Sequence, residues 1–215
     1  ISGEVIKRKK LIVPETTHSN EITNPKDNWL TLKHIKRVLP KPNCKRSSRK
    51  ITDPNYPEIE VSLLKLTDHF YDTGLYKAEW RQSKYLKVNH PYMGLMSFPE
   101  NELNPSRTIT ATKIGTSRES IIYKSEFSRI GDGEFRTPTV REAACIMSFP
   151  ITFQFIGSEG TKWRLVGNAV CPSVSRAFAK ALRSELELEI LSSSIVQMTP
   201  VLKGVENLNN FSKRK

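Results

Sequence analysis

Long apolar runs are missing from this 215-residue sequence. No stretch approaches the roughly 18 consecutive apolar residues that a membrane-crossing helix needs. The basic cluster Lys7-Arg8-Lys9-Lys10 is followed only by Leu11-Ile12-Val13 before Pro14, too little for the core of a secretion signal. Cysteine is scarce as well. Cys44, Cys145 and Cys171 form an odd set with no CxxC spacing, which excludes a disulfide framework and a zinc site and suits a reducing compartment. His18 and His34 have no partners at ligand spacing, so no metal site is expected. Hydrophobic residues make up 37%, a low share that implies exposed or loop-rich segments. Acidic residues are outnumbered, 22 against 34 basic, for a net charge of +12. A balance of that size points to an anionic partner.

The charge is concentrated early. Residues 1–55 hold 13 basic and 5 acidic side chains, punctuated by Pro14, Pro25, Pro40, Pro42 and Pro54. Within them, Trp29 to Pro40 reads as a short helix, with Leu32, Ile35 and Leu39 on one face and Pro40 as its stop. Cys44 to Lys50 is a basic loop that suits phosphate contact or simple solvation. Residues 56–90 read as partly helical, with a turn or two around Val61, Leu64, Thr67 and Asp68. Tyr76, Trp80, Tyr85 and His90 alternate there with Lys77, Arg81, Lys84 and Lys87. Such a mixture can stack on nucleic acid or pack as core, and the sequence leaves both open. Residues 91–135 read as β-rich, with strands at Arg107–Thr112 and Ser120–Tyr123 flanking the loop Lys113–Glu119. Arg118 and Lys113 at the loop tip can reach a guanine edge or a phosphate. After Leu191 the pattern fades into a tail.

Local instruction is densest from Phe135 to Leu186. Thr139-Val140-Arg141-Glu142 is a capping box, in which the Thr hydroxyl and the Glu carboxylate each satisfy an orphan backbone N–H. Val140, Ala143, Ala144, Ile146 and Met147 supply an apolar face, and Phe149-Pro150 stops the helix. Cys145 fits this helix as a small buried hydrophobe. Ile151 to Gly160 is extended and then looped. Lys162 to Val166 is a helical turn closed by Gly167-Asn168 as a left-handed cap. Ser173 then caps an amphipathic helix with apolar residues at Val174, Phe178, Ala181, Leu182 and Leu186.

Arg141-Glu142-Ala143-Ala144, Ser148-Phe149-Pro150, Gly157-Ser158, Trp163-Arg164 and Gly167-Asn168-Ala169-Val170 followed by Pro172 resemble the last two motifs of the DNA cytosine-5-methyltransferase family. Several such pieces in one order over about fifty residues are far more specific than any one alone. The resemblance is strong from about Arg107 to Leu186 and faint before it. It implies a target-recognition domain whose loops Tyr92–Asn104 and Lys113–Arg118 face the DNA major groove, with Arg107, Lys113, Thr116, Ser117 and Arg118 as contacts. It implies that Arg141 and Glu142 organise that domain. It also implies that Asn168, Ala169 and Val170 rim an S-adenosylmethionine pocket, and that Ser173–Leu186 packs on a catalytic domain.

The departures are as informative. The family's chemistry needs a cysteine after proline, but Cys44, Cys145 and Cys171 follow Asn43, Ala144 and Val170. Its Glu-Asn-Val, its Gly-rich cofactor turn and its Gln-x-Arg-x-Arg stretch are also missing. The resemblance therefore implies an α+β chain without the Rossmann-like catalytic domain and without a catalytic residue of its own. The expected parts are a basic arm (1–28), a recognition domain (29–135), C-terminal helical motifs (136–191) and a tail (192–215). Such a piece would be inactive alone. It would be cut from a longer chain or, as the less favoured origin, come from a naturally split enzyme. Its partners would be double-stranded DNA and a catalytic domain in the same parent chain or a separate subunit, with no membrane and no metal, in a bacterial cytoplasm near the nucleoid. The alternatives are a stand-alone sequence-specific DNA-binding module and a basic structural protein of a ribonucleoprotein.

Overall fold

The computed structural model describes residues 13–14, 16–18, 29–92, 94–125 and 131–185. Most of the expected arm lies outside the described residues, and so does everything from Leu186 onward, the expected tail included. The described part is α+β: five helices and two small antiparallel sheets of two strands each.

Helix α1, Leu32–Val38, follows the expected pattern, with Leu32 and Ile35 buried and Leu39 buried just beyond it. An unexpected hairpin comes next. Strand β1 (Lys50–Thr52) pairs with β2 (Glu60–Ser62), Ile51 opposite Val61, and only that central pair faces inward. Strands of three residues are too short to carry a period-two signal, so Val61 reads as helical in sequence and is not. Helix α2, Lys77–Val88, starts where the Glu79 carboxylate accepts the Tyr76 backbone N–H at 2.7 Å. Its inward face is Trp80, Ser83 and Lys87, at spacings of three and four. Trp80 packs on Phe98 and Phe135, while Tyr76 and Tyr85 stay exposed.

The β-rich reading of residues 91–135 is corrected. Strand β3 is Tyr123–Lys124, β4 is Phe135–Arg136, and no other strand occurs among the described residues there. Arg107–Thr112 is irregular. Ile109 does turn inward, but the partner of this stretch is a helix: the Thr110 carbonyl accepts the Trp163 indole N–H at 3.0 Å. Ile121, Ile122 and Tyr123 are all buried, which breaks the alternation that a half-buried strand requires.

Helix α3, Val140–Ile146, has the expected capping box: Thr139 Oγ1 accepts from the Glu142 N–H and Glu142 accepts from the Thr139 N–H. Its end is corrected. The stop comes before Phe149-Pro150, in a Schellman arrangement: Phe149 N–H reaches the Ala144 carbonyl, Ser148 N–H reaches Cys145, and Ser148 takes φ +60°. Helix α4, Glu159–Asn168, begins earlier than expected, capped by the Ser158 hydroxyl, and packs on α3. Gly167 lies inside it and is no left-handed cap. A Cβ there would overlap the Thr110 carbonyl and the Ala111 backbone, so glycine permits a close approach. Helix α5, Pro172–Glu185, starts one residue before Ser173, with proline at its first position, where no intrahelical N–H is lost. Ser173 instead donates its N–H to Ser148 Oγ at 3.0 Å.

Helix α3 lies between two apolar clusters. One gathers Leu32, Ile109, Tyr123, Val140, Phe155 and Trp163; the other gathers Ile35, Leu39, Val61, Leu66, Cys145 and Ile151. His69, fully buried, belts this arrangement: Nε2 donates to the Pro40 carbonyl at 2.7 Å, so Nδ1 accepts from the Thr139 hydroxyl at 3.0 Å. Burial lowers its pKa, and the Glu142 carboxylate offsets that only in part. The folded state thus favours the neutral ring, and the unfolded chain takes up the proton first. This contribution is whole above pH ~6.5 and is lost as pH falls below it. The thermal midpoint should drop between pH 7.5 and pH 5, and less steeply in His69→Gln; parallel profiles would contradict the assignment.

Candidate functional site

Arg141 and Glu142 come from one turn of α3 and both are buried. Arg141 donates from Nε to the Thr67 carbonyl at 3.2 Å, and from Nη2 to the Thr67 hydroxyl at 3.0 Å and the Phe153 carbonyl at 2.7 Å. Its backbone N–H reaches the Asp68 carbonyl, and Asp68, at φ +60°, accepts Lys162 Nζ at 2.6 Å. The guanidinium therefore pins the 67–68 turn and the stretch before α4 to α3. Glu142 takes both terminal nitrogens of Arg136 at 2.8 Å. Burial alone would raise its pKa, but the Arg136 guanidinium and the Thr139 N–H hold it below the ordinary carboxylate value. Arg136 escaped the sequence reading. The only trace of it is an arginine six residues ahead of a box glutamate, and nothing in that spacing announces an ion pair.

The rim residues lie at the end of α4, Asn168 as its last residue and Ala169 and Val170 just beyond. Asn168 and Val170 are exposed, Val170 at 67%, and Ala169 is half-buried. Among the described residues no hydrogen bond occupies the Asn168 carboxamide. Ala169 lines a cleft of about 480 Å³ between α1, the 105–109 stretch and the α4–α5 junction, with Cys145 and Met147 also in its lining. Arg107 lines the same cleft. The structure thus brings one expected rim residue and one expected DNA contact to a common wall.

The other expected contacts are spread over the 113–118 loop and, like Arg107, most are engaged within the fold. Arg107 donates to Glu100 at 3.0 and 2.8 Å. Lys113 pairs with Glu159 at 2.6 Å, over the rings of Tyr71 and Trp163. Arg118 reaches the Glu119 carboxylate at 3.0 Å and the Gly94 carbonyl at 2.7 Å. The Ser117 carbonyl accepts the Ser83 hydroxyl, and Thr116 is half-buried beside it. Glu100, the buried partner of Arg107, was not singled out in sequence, and Lys87, which shares that carboxylate, was read only as one of the bases among the aromatics. The available signal was that Lys87 shares the inward face of α2 with Trp80 and Ser83.

Two of the three thiols are shielded by burial. Cys145 is buried in α3, and burial pushes its pKa up to about 12. Cys171, half-buried against Met147, is also raised by burial. Cys44 is exposed in the basic loop. Among the described residues no three His, Cys, Asp or Glu side chains converge as a metal site, and no helix is long and apolar enough to cross a membrane.

A family model described as C-5 cytosine-specific DNA methylase matches residues 4–184. The chain is 30% identical over 154 residues to the type II methyltransferase M.AplI of Arthrospira platensis, covering 62% of this chain and 40% of that one. It is 46% identical over 50 residues to M.HgiCII of Herpetosiphon aurantiacus, 23% of this chain and 11% of that one. It is 46% identical over 48 residues to M.AgeI of Thalassovita gelatinovora, 22% and 11%. The chain thus spans well under two thirds of these relatives' length. No solved structure matches it.

Proposed function

The chain belongs to the C-5 cytosine-specific DNA methylase family, and from that premise we propose that it is the part that grips duplex DNA and reads its target, while the reactive thiol resides in a catalytic segment outside it. The type II methyltransferase names of the relatives put such a part in DNA methylation, in the restriction-modification setting. The observation that carries the reading is the surface of α5. Val174, Phe178 and Leu182, one turn apart, remain 46%, 42% and 42% exposed on this helix. A stripe of that kind is the expected face toward a missing neighbour, and it argues against a self-sufficient binding module.

The family's methyl donor is S-adenosylmethionine, which supplies the one-carbon group. The residues here fit the edge of such a pocket and not its floor. The Asn168 carboxamide is open, Ala169 and Val170 offer small apolar surface, and the sequence has no Gly-rich turn to cradle the donor. Most of the cofactor's contacts would then lie in the catalytic segment. The contributions of this chain are positional. The loops at 94–104 and 113–118 would sit against DNA, α3 would hold them relative to α4, and the α4–α5 junction would close one wall of the reaction chamber. Its basic surface would supply salt-dependent affinity while the target cytosine is turned out of the stack.

The reading predicts weak but selective binding of duplex by the chain alone and no transfer of labelled methyl groups. It also predicts no covalent trapping on duplex containing 5-fluorocytosine, because no thiolate is poised to attack the ring. Methyl incorporation or trapping by this polypeptide would overturn it. A Pro-Cys followed by Glu-Asn-Val in the coding sequence upstream of Ile1 would support it.

A further inference from the structure

A buried ion-pair triad ties together the two loops assigned to DNA. Lys87 is fully buried on α2, and its Nζ lies 3.1 Å from Glu100 Oε1 and 2.6 Å from the Ser120 carbonyl. Burial lowers its pKa and Glu100 draws it part of the way back. The other Glu100 oxygen takes two donors from Arg107. One ammonium therefore bonds the middle of the 94–104 loop and the segment that follows the 113–118 loop.

Further ties run alongside. Glu100 N–H donates to the Ile122 carbonyl, and Met96 N–H to the carbonyl of Lys87 itself. Arg118 reaches across to the Gly94 carbonyl, and Ser83, one turn before Lys87, holds the Ser117 carbonyl. Leu95 projects from this tied pair at 80% exposure. A buried ion pair is a poor source of net stability, and its best-attested use is to fix register. Here the elements in register are the two loops.

Building on the recognition reading above, we infer that Lys87 is a positioning residue for target recognition, locking the 94–104 and 113–120 loops into one reading head. Lys87→Met tests this with least disturbance, because Glu100 keeps Arg107 as its counter-charge. Wild type and variant would each be used to select from a randomised duplex pool at low salt, where a weak binder is retained. The variant should lose selective enrichment by about tenfold or more, the scale of one or two misread base pairs. Its affinity for bulk DNA and the slope of that affinity with salt should stay as they are, since no phosphate-facing charge is removed.

Ser83→Ala, which deletes a single hydroxyl, should show a smaller loss of the same kind, and it decides the matter by the same criteria should Lys87→Met fail to fold. Enrichment equal to wild type overturns the inference alone. A parallel fall of selective and bulk binding makes Lys87 merely structural and overturns it too. Absence of enrichment by the wild-type chain removes the recognition reading and the inference with it.

Discussion

Glu142→Gln will lower the unfolding free energy by about 3–5 kcal/mol, the cost of breaking a buried ion pair from one side. The arithmetic is local. Arg136 is buried and both its terminal nitrogens end on the Glu142 carboxylate at 2.8 Å. Glutamine keeps the volume but leaves a buried guanidinium without its counter-charge. The same carboxylate closes the α3 capping box on the Thr139 N–H, and Thr139 in turn meets the His69 ring. One substitution therefore disturbs an ion pair, a helix start and the buried imidazole together. Domains of this kind carry only about 5–15 kcal/mol in total, so the loss is a large share of the whole. Urea titration followed by circular dichroism measures it. The paired change Arg136→Met with Glu142→Leu, which removes both charges, should cost less than Glu142→Gln alone. A loss under about 1 kcal/mol in the single variant would mean that water reaches Arg136, and α3 would not be the hub described. Because Arg136 holds the Glu142 pKa below its ordinary value, this stability is present above the usual carboxylate range. It falls away as the solution is acidified below pH ~4.3.

That hub was partly legible from sequence, for a physical reason. A capping box is a local code: Thr139 and Glu142 act on each other's backbone within four residues, and no distant contact is needed to read it. The same holds for the apolar spacing of α1 and of α5. What stayed hidden depends on distant partners. Alternation in Arg107–Thr112 marks an inward Ile109 correctly but cannot say whether a strand or a helix lies across from it; here it is α4, drawn close by Gly167. The hairpin of β1 and β2 is held by one inward pair and a ladder of three residues on each side, below the length at which periodicity speaks. Ser148 looks like an ordinary residue of a helix tail. Its left-handed φ becomes necessary only because the Schellman bonds, the Tyr56 hydroxyl on its carbonyl and the start of α5 on its hydroxyl all meet there.

The candidate site divides along the same line. The motif residues Arg141, Glu142, Asn168, Ala169 and Val170 lie on or beside elements whose local patterns are strong. The expected DNA contacts are a different matter. Arg107 opens the expected strand and Lys113 the expected loop; both are long cations, and the fold gives each a carboxylate, Glu100 and Glu159. A sequence reports the charge on a side chain and not the company it keeps.

Phe178→Asp should separate the two lives of α5. In the isolated chain Phe178 is 42% exposed and somewhat more than half covered, so the change should cost only about 1–2 kcal/mol. Against the proposed catalytic segment, supplied as a separate polypeptide, the same position becomes the middle of a buried seam between Val174 and Leu182. There the substitution removes an apolar anchor and desolvates a carboxylate with no partner. Central anchors of this type are worth about 2 kcal/mol or more, and an unpaired buried charge adds to that. A combined loss near 3 kcal/mol is roughly 150-fold in affinity. Methyl transfer reconstituted at sub-saturating concentration should fall by a similar factor, while binding of duplex DNA by the variant chain alone stays at the wild-type level. The two measurements discriminate sharply. If Phe178→Asp unfolds the isolated chain, the ring belongs to this molecule's own core. If it folds and reconstitutes normally, α5 faces solvent for some other reason, and the catalytic segment docks elsewhere or is not part of the machine.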